Sequence, residues 1–250
     1  MLKKLIKYEL KKTWKISALI CGIIIVIGLL QGFFRITGLL KLNESGAGDI
    51  ISSISFLLMM LMSVYLPIRY YKSLYSSEGY FSFTLPASIA EVVSSKMIVG
   101  AIWIIAVMAS PFITLPLSGA FNSSAPGSEA WSSDDICLTI TFIFFILMFS
   151  LSNLWISYFS VTVGKSWQKH KLAGTLLCYF CTWLVVGLIA LILTSSMESL
   201  LYRIGGNNDG TVTELQRSIT LAMDGIGGII LCFILTHASI AVTEDTLNLE

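Results

Sequence analysis

The chain has 250 residues, of which 55% are hydrophobic and only 12% charged, with a formal net charge of +1 and a mean hydropathy of +0.82. Soluble domains carry about twice that share of charge, so the composition excludes an ordinary water-soluble fold and points to an integral membrane protein. The near-zero net charge carries no nucleic-acid signal, and no basic stretch interleaved with aromatics supplies one.

Residues 1–15 read MLKKLIKYELKKTWK. At about 100° per residue, Leu2, Leu5, Ile6, Leu10 and Trp14 fall on one side and Lys4, Lys7, Lys11, Lys12 and Lys15 on the other. A basic amphipathic helix of this kind is expected to lie in the inner membrane interface, as an elbow before the first span. Glu9 lands inside the apolar arc. Pairing with Lys12 one turn on accounts for it, in preference to a reach toward a neighbouring cytoplasmic element. The first span is predicted over residues 16–40. Its lysine-rich lead resembles a signal peptide, but the apolar stretch is too long and no convincing small-residue cleavage site follows. Gln31 and Arg35 stand near its far end, where an arginine can snorkel to the headgroups.

Residues 42–50 form a short outer turn, and a second span is predicted over 51–70, with Pro67 as a kink near its inner end. The next twenty or so residues are the stretch around which the chain is organised. Tyr70, Tyr71, Tyr75, Tyr80, Phe81 and Phe83 crowd its entrance, as amphipathic rings do at a membrane–water boundary. Leu85-Pro86 then breaks the chain, and Pro86 suits the first position of a helix, where its missing N–H is no loss. A short cytoplasmic helix is expected over 86–95, rigid enough to receive mechanical work from a soluble partner; an ordinary cytoplasmic loop is the plainer alternative. A third span follows over 97–117, bent or ended by Pro111 and Pro116.

Residues 118–135 carry no lysine or arginine, as an external loop should. The fourth helical run, 135–164, would measure about 45 Å at about 1.5 Å per residue. That exceeds the hydrocarbon thickness of about 30 Å, so it must tilt or protrude. Ser150, Asn153, Ser157 and Ser160 share one of its faces, suited to holding helices together in preference to lining a substrate path. A basic turn, GKSWQKHK, leads to a fifth span over 172–194. An outer segment with a possible short helix precedes a Gly-Gly-Asn-Asn-Asp-Gly turn. Thr213 and Gln216 have capping-box spacing for a last span over 219–242, and an acidic tail closes the chain. Six spans put twelve of the lysines and arginines inside and four outside, a clear positive-inside bias with both termini cytoplasmic. The expected fold is therefore all-α and integral to the membrane: an amphipathic element at 1–15 and a six-helix transmembrane domain at 16–250.

Catalytic chemistry is hard to find. Gly164-Lys165-Ser166 ends like a P-loop, but Phe159 occupies the position where that motif needs glycine, and a membrane helix precedes it instead of a strand. Only His170 and His237 occur, with no metal-ligand spacing. The five cysteines all lie in or beside apolar runs, so they are not a disulfide framework, and Cys178-x-x-Cys181 has no second pair. No Ser–His or Ser–Lys arrangement suggests an intramembrane protease. Asp224 is the one acid well inside a span, and such a residue is a functional candidate by default. Pairing with Arg35 and hydration from an outer vestibule explain it equally well. Gly225, Gly227 and Gly228 beside it would let helices approach closely.

With the lead LIKYEL (5–10), the string EGYFSFTLP (78–86) and the ending LNLE (247–250) on the page, the chain resembles the transmembrane subunits of ABC-2 type ABC transporters along its whole length. Relatives often carry a second acid where Ser77 stands, so a two-carboxylate role does not carry over. The resemblance implies a transport subunit that is not itself an enzyme and carries no cofactor. ATP and Mg would bind a separate ABC ATPase subunit, and a second transmembrane subunit, expected to be an identical copy, would complete the path. It also implies that 86–95 docks on the ATPase, with Glu78, Gly79, Tyr80, Phe81, Leu85, Pro86, Ser88 and Glu91 as the coupling residues. Glu9 and Trp14 would belong to the elbow helix. Ser150, Asn153, Ser157, Asp224 and Arg35 would serve the translocation path or helix packing. Size and composition are similar to bacterial cell-membrane exporters and immunity pumps for amphipathic peptides, including permeases that expel phenol-soluble-modulin-like toxins. A self-contained secondary carrier using Asp224 is the main alternative, although no internal repeat or broken midplane helix is visible in the sequence. A non-transporting sensor or scaffold is a third class.

Overall fold

A computed structural model describes residues 1–37, 47–75, 87–118, 133–165, 171–205 and 214–248. Six helices make up nearly all of this: α1 (Leu2–Thr37), α2 (Ala47–Tyr75), α3 (Ile89–Ser118), α4 (Ser133–Lys165), α5 (Lys171–Gly205) and α6 (Glu214–Asn248). Each contains a stretch long and apolar enough to cross a membrane, as a multi-pass membrane protein requires. Large apolar side chains cover their outer surfaces, most densely on α5, where Leu172, Leu176, Phe180, Leu188 and Leu191 are all exposed. In water such a surface would drive aggregation; in a bilayer it meets solvent of its own kind.

The helices are longer than the predicted spans. α1 runs unbroken for 36 residues, so residues 1–15 are not a separate elbow but the first four turns of the helix that continues into the apolar span. The short helix expected at 86–95 is likewise absent as an element of its own. Residues 89–95 are the first two turns of α3, and Pro86 lies outside the described residues. Ser88 caps α3: its Oγ accepts from Glu91 N at 3.2 Å, and its carbonyl accepts from Val92 N at 3.1 Å. α3 continues through Pro111 and Pro116, α2 through Pro67, and α6 through the acidic tail as far as Asn248. α5 likewise absorbs the segment assigned to a separate short outer helix. Prolines apart, the reason is common to these. A change from apolar to polar side chains alters where a helix sits but does not stop it, and no residue pair at 15–16, 95–96 or 242–243 disfavours helical backbone strongly enough to do so. Thr213, the expected cap of α6, lies outside the described residues, but α6 begins immediately after it.

The chain divides into two compact units, Met1–Ala130 and Trp131–Glu250. In the first, α1 packs most extensively on α3, and α2 lies alongside both. Their contacts rise together in sequence, Glu9 with Lys96 and Thr13 with Trp103, so α1 and α3 run parallel. The core of this unit is Ile20 and Ile24 from α1, Met62, Leu66 and Leu74 from α2, and Val93, Met97, Ile104 and Val107 from α3. In the second unit α4 packs chiefly on α6, again parallel, since Ser152 meets Gly228 and Trp155 meets Thr236. α5 runs antiparallel to α4, as Asn153–Tyr179 and Gly164–Thr175 show.

Glycine sets the closest approaches here. A Cβ on Gly164 would lie 2.1 Å from Thr175 Oγ1 and 2.6 Å from Thr175 Cα, so the α4–α5 hairpin closes only because residue 164 has no side chain. On α6 a Cβ at Gly225 would strike the Phe144 ring, and one at Gly228 would press on Ser152 and Met148. Gly227 faces open space. Of the three glycines beside Asp224, two serve packing and the third does not.

A buried ion pair at the convergence of three helices

Glu9, the residue that did not fit the amphipathic pattern, explains the first unit. Its side chain is buried, and Oε1 accepts a hydrogen bond from Lys96 Nζ of α3. Lys96 Nζ also donates to Ser73 Oγ of α2, and Ser73 Oγ lies 3.4 Å from Glu9 Oε1, to which it donates. One triangle of polar contacts thus joins α1, α2 and α3. The pairing expected with Lys12 is replaced by one 87 residues away in sequence. Lys12 and Arg69 remain electrostatic neighbours of Lys96.

One turn further along α1, Thr13 Oγ1 donates to Glu9 O at 2.9 Å and accepts from Trp103 Nε1 at 2.9 Å. Glu9, Thr13, Ser17, Ile20 and Ile24, all buried, recur at helical spacing and form the face that packs inward. Leu2, Leu5, Ile6 and Leu10 lie on either side of Glu9 on this arc and are half-buried. The amphipathic face therefore turns toward α2 and α3, and residues 1–15 form no helix separate from α1. Trp14, placed with the apolar side in the sequence, is instead 52% exposed.

Of the residues assigned to coupling, Glu78, Gly79, Tyr80, Phe81, Leu85 and Pro86 lie outside the described residues. Ser88 is the exposed cap of α3, and Glu91 Oε1 sits 3.7 Å from the Met1 amino nitrogen. Tyr70, Tyr71 and Tyr75 belong to the last turns of α2 and pack edge-on or tilted, with ring centroids 6.1–6.4 Å apart; Tyr70 is buried.

In the second unit Asn153 Oδ1 accepts from Tyr179 OH at 2.7 Å, across α4 and α5. Ser150, Ser157 and Ser160 donate to carbonyls of their own helix, at Ile146, Asn153 and Ile156. The Asn153 bond crosses from one helix to the next. Trp155 Nε1 donates to Thr236 Oγ1 at 2.7 Å, tying α4 to α6.

Asp224 on α6 faces α5, where Thr194 Oγ1 lies 3.1 Å from its Oδ1 and 2.8 Å from Ala190 O. A hydroxyl has one proton, so Thr194 gives it to one acceptor at a time. The Arg35 side chain lies outside the described residues; one partner of Asp224 is Thr194 of its own unit. The five cysteines are free thiols. Among the described residues, no three His, Cys, Asp or Glu side chains come together.

Sequence reasoning missed Lys96, Ser73, Trp103, Tyr179 and Thr194. A signal for the first was present: an acid in an apolar arc requires a cation, and Lys96 is the lone basic residue in the apolar run 89–118. Comparison with protein-family models, with curated proteins and with solved structures finds no match for this chain.

Proposed function

We propose that the chain is the transmembrane subunit of an ATP-driven exporter of the ABC-2 type, driven by separate ATPase subunits. The observation that carries this reading is the mechanical position of the string EGYFSFTLP. It connects α2 to α3, and both flanking helix ends, through Ser73 and Lys96, are bonded to Glu9 of α1. A push on the connection would reach three helices together, as a passive subunit worked by a soluble motor requires. Within this reading both termini lie in the cytoplasm of a bacterium and a second copy of the chain completes the path. An amphipathic peptide is the cargo, taken up from the inner leaflet by an interior rich in methionine and aromatic rings.

The experiment is purification of the chain with its ATPase partner and reconstitution into vesicles. A stable complex is expected, and Glu78→Ala and Pro86→Gly should lower its substrate-stimulated ATP turnover without removing the chain from the membrane. Uphill accumulation of cargo by the chain alone would overturn the reading.

A second reading, a self-contained carrier coupled through Asp224, draws on a feature not visible in the sequence. Among the described residues each unit has three helices, with the first and third parallel and the second beside them. Internal repetition of this kind is common in secondary carriers.

A further inference from the structure

The same inward turn of Glu9 leaves the outer side of α1 with a single sign of charge. Residues 1–15 contain six lysines and one carboxylate, and that carboxylate is buried against Lys96. Lys3, Lys4, Lys7, Lys11 and Lys15 are all exposed. At about 100° per residue they span an arc of about 120°, and Tyr8 and Trp14, 64% and 52% exposed, stand in or beside it. Among the described residues no carboxylate pairs with any of these five lysines.

Because α1 has no break, the distance of this arc from the bilayer is constrained. The apolar part, residues 16–34, is about 28 Å long at about 1.5 Å per residue, close to the hydrocarbon thickness of about 30 Å. Lys15 therefore stands at the hydrocarbon boundary, and Lys4 about 17 Å beyond it along the axis. The headgroup layer adds about 5–8 Å on each side, and a charge acts over a further Debye length of about 8–10 Å. Lys7, Lys11 and Lys15 lie well within that sum and Lys3 and Lys4 at its upper end, about 18 Å; any tilt brings the outer ones nearer. Tyrosine and tryptophan beside the lysines match the same layer, where amphipathic rings settle.

We propose that the exposed cationic arc of α1 is a docking site for the phosphates of anionic phospholipids, so that the protein gathers such lipids around the start of its first helix. An acidic protein surface is the competing occupant. The lipid is favoured because the helix is held at headgroup depth by its own apolar continuation and carries interfacial rings among its lysines. The inference does not depend on an ATPase partner.

The test uses the full chain in phosphatidylcholine vesicles containing trace spin-labelled phosphatidylglycerol or phosphatidylcholine. The fraction of each label immobilised at the protein is measured. No other protein is present, so an acidic partner cannot produce the signal. Each cation near a charged surface contributes about a fivefold preference at most. The wild type should therefore favour the anionic label by about fivefold or more. The preference should fall to within about twofold of unity in the Lys4→Gln/Lys7→Gln/Lys11→Gln/Lys15→Gln variant, and likewise in about 1 M salt, where the Debye length is about 3 Å. Equal immobilisation of both labels by the wild type, or a preference that survives both the substitutions and the salt, would overturn the proposal. Should the variant fail to fold, the wild-type salt titration decides alone.

Discussion

Removing one charge from the Glu9–Lys96 pair should cost more than removing both. The two side chains are 11% and 5% exposed, so solvent screens them little. In Lys96→Met the side-chain volume is nearly kept, but Glu9 retains only Ser73 as a donor among the contacts described above. A carboxylate left buried without its cation costs about 3–5 kcal/mol. Glu9→Gln leaves the ammonium with Ser73 and an amide oxygen, and should fall at the lower end of the same range. In the double variant Glu9→Leu/Lys96→Met no charge remains to be desolvated, and replacement of a buried pair by apolar residues of similar size is about neutral or stabilising. In the cycle of Glu9→Leu, Lys96→Met and the double variant, each single change should cost about 3–5 kcal/mol and the double about nothing, a coupling energy of about 6–10 kcal/mol. The assay is equilibrium unfolding of the purified chain in mixed micelles by sodium dodecyl sulfate, followed by tryptophan fluorescence. Single variants within about 0.5 kcal/mol of wild type, or a double variant as unstable as the worse single one, would refute the reasoning.

Two other sites separate packing from chemistry. Gly164→Ala should destabilise the second unit by about 1–3 kcal/mol, because the new methyl meets the Thr175 backbone. Gly227→Ala, facing open space, should be neutral or stabilising by up to about 1 kcal/mol; the same unfolding titration ranks them. Asp224→Asn keeps an oxygen for Thr194 Oγ1 and should leave stability within about 1 kcal/mol of wild type. Transport assays on that variant discriminate the two functional readings. An ATP-driven exporter should retain most of its flux, whereas a carrier coupled through this carboxylate should lose it.

Much of the architecture was legible before any coordinates. Six apolar runs separated by polar turns specify six membrane helices, because a chain in hydrocarbon must satisfy every backbone group within its own segment. The fourth helix was foreseen almost to the residue, being bounded by polar, turn-forming segments at both ends. Boundaries inferred from polarity alone misled: residues 2–15 of the elbow and 89–95 of the stub are turns of α1 and α3, since lysine and serine continue a helix readily. The segment 76–86, on which the family resemblance rests, lies outside the described residues, so what is known of it is its sequence and the helices at its ends.

Hydropathy along the chain thus determined that the protein lies in a membrane, how many times its helices are able to cross it, and that Glu9 and Asp224 sit among apolar neighbours. It could not determine what those acids face, because one-dimensional periodicity assigns a residue to a side of its own helix and is silent about which helix packs there. Tertiary structure alone decided that Glu9 meets Lys96 and Ser73, that Asp224 meets Thr194, and that Gly164 admits the backbone of Thr175. Each of these pairs is brought together by helix packing across a sequence separation of 11 to 87 residues. For the two acids the energy that selects the partner is desolvation, felt only once the helices have closed around the charge.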